Sequence, residues 1–197
     1  ARPIKRPPRR YTPEEQEAER VEIERMLAEG VIEPSSSPWA CQPVMVPKPD
    51  GTIRYCINYV PLNRVTVKDA YPLPDQNEQL RALDGCIYKF ALDAHSGYWQ
   101  IPIAPADREK AAFVTHLGLY QPIALMFGLC NAPPTYQRYM NDSFEREIAE
   151  GVCSVYIDDI SGGDAEWGKF VFKLRRVLDT CRRRHILLKP KKCKLGY

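Results

Sequence analysis

Asp158 and Asp159 close an apolar run, SVYIDDISGG over residues 154–163, and small residues follow at once. On its own an Asp-Asp pair is more often a solvated turn. The residues leading to it, Val152, Cys153, Val155, Tyr156 and Ile157, are almost continuously apolar, which predicts a strand buried on both faces. Successive side chains of a strand point to opposite faces, so two adjacent carboxylates converge only where the chain turns, and ISGG supplies the turn. Bringing two carboxylates to the tip of a buried strand is costly unless a cation compensates them. Magnesium suits such a place, because it takes few protein carboxylates and keeps positions for water and phosphate. Asp93, at the end of GCIYKFALD, is the third candidate; alternation puts Ala91 and Asp93 on one side of its strand and Phe90 and Leu92 on the other. Three aspartates on two adjoining strand ends match the needs of two-metal phosphoryl transfer, in which one ion activates the attacking oxygen and the other neutralises the leaving group. Asp50, Asp75, Asp84, Asp107 and Asp164 fall in turns or helix starts and read as caps.

These strands need a frame, and the chain supplies one. YTPEEQEAERVEIERMLAEG predicts a helix, capped by Thr12, opened by Pro13, boxed by Glu15 and ended by Gly30. CQPVMVPKPDGTIRYCINY reads as a hairpin around PKPDGT. A helix is predicted near residues 75–83, a short one at ADREKAAF, and an amphipathic one in NAPPTYQRYMNDSFEREIAEG. Two strands flank a Gly-Leu turn in FVTHLGLYQPIAL, and a basic helix spans roughly 166–185. The fold class is α+β, helices flanking an antiparallel sheet.

At 197 residues the chain can bury a core as one large domain or two joined lobes. Hydrophobic and charged contents of 44% and 27% are ordinary for a soluble globular protein, and no apolar run approaches a membrane span. Seven cysteines, odd in number and without C-x-x-C spacing, read as reduced packing residues. The net charge of +3 conceals an asymmetry. From Lys169 onward there are eleven Lys or Arg against one acid, a net +10, so the rest of the chain stands at −7. Arg2, Lys5, Arg6, Arg9 and Arg10 make the N-terminus basic too. Such clusters fit either a polyanion partner or a solvated helix face with a disordered tail.

Six segments, GVIEPSSSPWACQPVMVPKPDGTIR, PLNRVTVKDAYPLP, ALDAHSGYWQI, FGLCNAPPTYQRYMN, VYIDDI and LKPKKCKLG, occur in an order and spacing that resemble the fingers and palm of a reverse transcriptase of gypsy-type LTR retrotransposons. The resemblance covers nearly the whole chain. It implies a right-hand polymerase fold: a basic segment and helix over 1–30, mainly fingers over 31–90, and mainly palm over 91–197 with a fingers insertion near 104–125, all one continuous domain. It implies that Asp93, Asp158 and Asp159 hold two Mg²⁺ ions, with Mn²⁺ as a substitute, while a primer 3′-hydroxyl attacks an incoming dNTP on an RNA or DNA template. Tyr98 falls where the family blocks a ribose 2′-hydroxyl, although spacing alone also allows a core aromatic beside Trp99. Lys48 and Arg54 fall where the family grips the triphosphate, and Phe127 and Gly128 where a segment lies beneath nucleotide and template. Gln137 and Tyr156 are candidates for template or primer contact, and Lys191 or Lys192 for the dNTP, the leaving pyrophosphate or backbone phosphates. The partners implied are an RNA template with a DNA primer, dNTPs, and a longer polyprotein carrying thumb, RNase H, protease and integrase. No membrane is implied, and the place is a cytoplasmic retrotransposon particle, with the nucleus as a further destination.

Three departures from the family pattern carry expectations. Asn58 and Val60 stand where Asp and Arg are common, which suggests the loss of a structural pair. DDISGGD has small and polar residues after the aspartates, so the second strand of that hairpin is expected to be shorter or looser. LMFGL lacks a proline before Phe-Gly. The sequence ends at KCKLGY, about where the family continues into its thumb, so weak template-primer binding is expected. The alternative is a catalytically weak or inactive relic acting as a nucleic-acid-binding module. A metal-dependent nuclease would also cluster carboxylates, but it would leave the fingers cations without a purpose.

Overall fold

Thr12 sets where the first helix starts: its hydroxyl accepts from the Glu15 amide while its own amide donates to the Glu15 carboxylate at 2.9 Å, the reciprocal box expected from T-P-E-E. The computed structural model describes residues 2–47, 53–81 and 83–196, without the side chains of Pro47, Gln76, Glu78 and Leu80. In chain order the elements are α1 (Pro13–Ala28), β1 (Ile32–Pro34), β2 (Gln42–Pro47), β3 (Ile53–Asn58), α2 (Val60–Asn63), α3 (Gln76–Arg81) and β4 (Tyr88–Asp93). A 3₁₀ turn (Gly97–Gln100) leads to α4 (Pro105–Arg108), β5 (Phe113–Thr115), β6 (Gly118–Pro122), α5 (Ala132–Ser143) and α6 (Glu145–Ala149). Then come β7 (Ser154–Tyr156), β8 (Asp159–Asp164), α7 (Trp167–Arg183) and β9 (Lys194–Leu195). Among the described residues no helix is long and apolar enough to cross a membrane.

The chain forms two compact units. One comprises the residues up to Lys68 with Ile101–Ala132, the other Asp69–Gln100 with the chain from Pro133 onward. Residues 69–90 therefore fold with the sheet that carries Asp93.

In the first unit, β1, β6 and β5 pair antiparallel, and β2 and β3 form a hairpin in register from Gln42 opposite Asn58 to Pro47 opposite Ile53. Ile23, Met26, Ile32, Tyr59 and Phe113 fill its core. Burial there includes a carboxylate: Glu19 on α1 has no exposed surface, accepts from the His116 amide at 3.2 Å and pairs with the His116 ring. Asn58 has its own task, since its side chain accepts from the Val60 amide at 3.0 Å and turns the chain into α2.

In the second unit the sheet order is β7-β8-β4-β9, all antiparallel. Phe90 and Phe170 lie with ring centroids 6.2 Å apart and Tyr88 and Trp167 with centroids 5.2 Å apart, which seats α7 on the even-numbered face of β4. Val177 and Cys181 continue the buried stripe of α7. Two expectations are corrected here. β7 is three residues long and lies at the sheet edge, so Val155 is buried while Ser154 and Tyr156 are only half-buried. β8 is neither short nor loose: it runs six residues, paired with β4 throughout. Its glycines are there for volume, because a Cβ on Gly162 would stand 2.4 Å from Cζ of Phe90 and 2.7 Å from the Val152 carbonyl oxygen. The Phe90 ring fills the space that an apolar side chain would have taken.

Candidate functional site

β7 ends at Tyr156, and the next residue, Ile157, has φ 50°. The left-handed conformation is unusual for a β-branched residue and costs on the order of 1–3 kcal/mol, so the surroundings must enforce it. Gln137 on α5 does so. Its carbonyl oxygen accepts from the Ile157 amide at 2.7 Å, and its amide nitrogen donates to the Val155 carbonyl at 3.0 Å and to Asn141 Oδ1 at 2.9 Å. Gln137 has no exposed surface. The expected template contact is therefore corrected: a side chain enclosed and bonded on both polar ends cannot reach a nucleic acid, and it braces the turn instead.

That turn sets the carboxylates. Asp158 lies in it and Asp159 opens β8, so the pair straddles a bend instead of ending one strand. Asp93 and Asp159 are direct partners in the β4–β8 register, and the Ala94 amide donates to the Asp158 carbonyl at 2.9 Å. Asp93, Asp158 and Asp159 thus converge at one end of the sheet. Their electrostatics show the strain of closeness. Burial, then the charges of Asp93 and Asp159, push the Asp158 carboxyl up to about 6. Asp159 is raised by the same causes, burial first and then Asp93. One cation counters them: Lys192 Nζ lies 3.0 Å from Asp93 Oδ2, and that contact raises the lysine.

The AHSG segment after β4 makes room. A Cβ on Gly97 would fall 2.1 Å from Asp158 Oδ1 and 2.7 Å from the Tyr136 hydroxyl, so the position admits no side chain without moving Asp158. Asp158 Oδ1 and the Tyr136 hydroxyl are both buried and find no hydrogen-bond partner among the described residues. Tyr98, one residue on, is 8% exposed and meets Tyr136 edge to face at 5.6 Å. Burial and then the Asp158 charge raise its hydroxyl. Tyr156 stands opposite Asp159 across β7–β8, and Lys191 is exposed on the 3₁₀ turn Pro190–Lys192.

The remaining candidates belong to the first unit. Arg54 is exposed on β3, while Lys48 lies outside the described residues. Phe127 is 56% exposed, and Gly128 comes next at φ 93°, a conformation that favours glycine. Asn63 holds this loop from both sides, donating to the Gly128 carbonyl at 2.7 Å and accepting from the Cys130 amide at 2.9 Å. Sequence reasoning missed Asn63; its place in PLN, a segment of the resemblance, was the available signal. Among the other acids, Asp75 accepts from the Asn77 amide at the start of α3, as a cap does, whereas Asp164 is corrected: it ends β8, accepts from the Glu166 amide and pairs with Lys173, and α7 has no side-chain cap; Asp107 pairs with Lys110.

Among the described residues no three His, Cys, Asp or Glu side chains are arranged about a single ion position. The donor chemistry nonetheless fits a divalent cation: three carboxylates face one lysine, two of them are raised by burial first and then by neighbouring carboxylates, and one buried carboxylate oxygen accepts no hydrogen bond from the described residues.

An antiparallel sheet flanked by helices, with three aspartates at adjoining strand ends, has the build of a polymerase palm. The family emerges from direct comparison: a profile described as "Reverse transcriptase (RNA-dependent DNA polymerase)" matches residues 46–197, and the chain belongs to that family. It is 39% identical over 163 residues to the retrovirus-related Pol polyprotein from transposon opus and 36% identical over 146 residues to that from transposon gypsy, both of Drosophila melanogaster, covering 80% and 71% of this chain. It is 32% identical over 196 residues, 98% of the chain, to the enzymatic polyprotein of cauliflower mosaic virus (strain Strasbourg). The chain spans only 16%, 14% and 29% of the lengths of these three proteins. The fold matches the crystal structure of the native prototype foamy virus protease-reverse transcriptase with a TM-score of 0.86 at 25% identity, over 98% of this chain and 26% of that one. A foamy viral protease-reverse transcriptase in complex with RNA/DNA hybrid matches with the same TM-score at 21% identity, again over 98% of this chain and 26% of that one.

Proposed function

We propose that this chain is the fingers-palm core of an RNA-directed DNA polymerase that joins dNTPs to a primer 3′-hydroxyl on an RNA or DNA template. The observation that carries the reading is the meeting of Asp93, Asp158 and Asp159 where two strands and a braced turn end together. Reverse transcriptases use divalent metal ions, and here the three aspartates would hold two Mg²⁺. Those ions supply charge neutralisation at the attacking and leaving oxygens. The protein's own contributions are separable. Gln137 fixes the turn, Gly97 keeps Asp158 in place, and Lys192 holds Asp93 while placing a positive charge beside the carboxylates. The largely buried Tyr98 ring offers a rigid edge, suited to rejecting a ribose 2′-hydroxyl by volume. Arg54 and Lys48 supply cations for a triphosphate, Arg54 with a bidentate fork. Phe127 and Gly128 are proposed for nucleotide and template contact, and the partners in a longer polyprotein are inferred from the relatives.

Primer extension tests the reading, with an RNA template, a DNA primer, Mg²⁺ and dNTPs at low salt. Incorporation by the native chain that disappears in Asp158→Asn is the expected result. Equal incorporation by both would remove Asp158 from the chemistry, and none by either would favour a nucleic-acid-binding relic.

A further inference from the structure

The basic N-terminal segment is docked, not loose. The Ala40 amide donates to the Ile4 carbonyl at 2.9 Å and the Arg6 amide donates to the Ala40 carbonyl at 3.0 Å, around a parallel bridge between Lys5 and Ala40. Two side chains anchor the stretch from Pro7 to Tyr11. Gln42 Nε2 donates to the Pro7 carbonyl at 2.5 Å, and the Tyr11 hydroxyl donates to the Pro43 carbonyl at 2.7 Å. Ile4, the one branched aliphatic residue of the segment, is half-buried. Arg2, Lys5, Arg6, Arg9 and Arg10 are all exposed, and among the described residues none of the five is in an ion pair. Pro3, Pro7 and Pro8 restrict the backbone, and at roughly 3 Å per residue an extended stretch from 2 to 10 spans about 25 Å.

Five cations along such a line, with no acid and no aromatic among residues 2–10, suit a ligand that repeats negative charge along its length and is not read through its bases. Four of the five are arginines, whose planar forks match phosphate oxygens. Because the backbone is already pinned, little ordering is needed on binding. We infer that residues 2–10 form a sequence-blind docking site for the phosphate backbone of nucleic acid. The choice of nucleic acid as the polyanion rests on the polymerase reading above; the built, unpaired basic track does not.

The test is fluorescence anisotropy of the full chain with labelled oligonucleotides of two unrelated sequences, single-stranded and duplex, across KCl concentrations, in EDTA without dNTPs. Each lost phosphate contact lowers the slope of log K against log salt by about 0.7 for a single strand and about 0.9 for B-DNA. Arg6→Gln/Arg9→Gln/Arg10→Gln is expected to lower it by about 2 on single strands or about 2.7 on duplex, which identifies the form engaged, equally for both sequences. Tyr11→Phe/Gln42→Ala keeps all five charges but removes both anchors, and is expected to weaken binding roughly 3- to 10-fold with the slope retained. An unchanged slope in the triple variant overturns the site, and an unaffected anchor variant overturns its docking. Loss confined to binding of poly-glutamate would assign the arm to an acidic protein instead. Since no nucleotide incorporation enters the readout, failure of the polymerase reading and failure of this one are told apart.

Discussion

Asp158→Asn is expected to make the metal-free protein more stable while abolishing its chemistry. The carboxyl of Asp158 is raised from 3.8 to about 6, by burial first and then by Asp93 and Asp159. The difference corresponds to roughly 3 kcal/mol, and solvent screening of a half-buried group reduces this to about 1–2 kcal/mol. The sign comes from linkage. A carboxyl whose folded value exceeds its unfolded value contributes stability fully below about 3.8 and loses that contribution as pH rises through about 6. The native protein therefore carries an electrostatic cost above pH 6 that the asparagine variant lacks. For a chain of this size each kcal/mol moves Tm by about 2–4 °C, so the variant is expected to melt about 2–8 °C higher at pH 7.5 in EDTA. The two should converge near pH 4. Thermal melts at half-unit pH steps measure the difference directly, and millimolar Mg²⁺ is expected to raise the native Tm and leave the variant's unchanged. A difference that does not vary with pH, or a variant less stable at pH 7.5, would refute the account of the carboxylate cluster.

Three further outcomes are expected. Gly97→Ala places a methyl 2.1 Å from Asp158 Oδ1, and displacing that carboxylate by about 1 Å should lower primer-extension kcat about 10²-fold; near-native kcat would show that the carboxylate's position is not critical. Gln137→Leu leaves the Ile157 amide without its buried partner and should cost about 2–3 kcal/mol in urea unfolding, whereas a loss under 0.5 kcal/mol would mean that the turn holds its own shape. Gly162→Ala alone should destabilise by about 1–3 kcal/mol, and Phe90→Leu in the same chain should recover part of that loss; strict additivity of the two would contradict the volume exchange.

What could be read from the sequence was whatever depends on near neighbours in the chain. The cap of α1 is written in Thr12 and Glu15, and the strand ending at Asp93 in the alternation of Phe90 and Leu92. The apolar residues before each acid marked Asp93 and the Asp158–Asp159 pair as strand-end candidates, whereas their meeting depends on the pairing of β4 with β8, far apart in the chain. Four features were illegible because they depend on a residue far along the chain. Gln137 read as a candidate for template contact until β7 proved to lie against α5, its partners Val155 and Ile157 being 18 and 20 positions away. The glycines of β8 looked like weakness because nothing local reveals that Phe90 sits across from Gly162. The basic arm could have been a tail, and its contacts with Ala40, Gln42 and Pro43 show otherwise. The edge position of β7 was hidden for the same reason: an apolar strand does not say how many neighbours it has.

The pairing of Asp93 with Asp159 also bears on how errors in folding would show themselves. A strand that slips by one residue turns every side chain to the opposite face. On β4 such a slip would carry Asp93 to the side where Phe90 meets α7 and would put Ala91 or Lys89 where Phe90 now occupies the space over Gly162. No half-correct arrangement keeps the carboxylates together. Under the polymerase reading proposed above, molecules in a preparation are expected to fall into two populations, competent and inert. Variants that disturb this pairing are then expected to change how many active sites can be titrated in a first-turnover burst, and to leave the rate of each surviving site as it was.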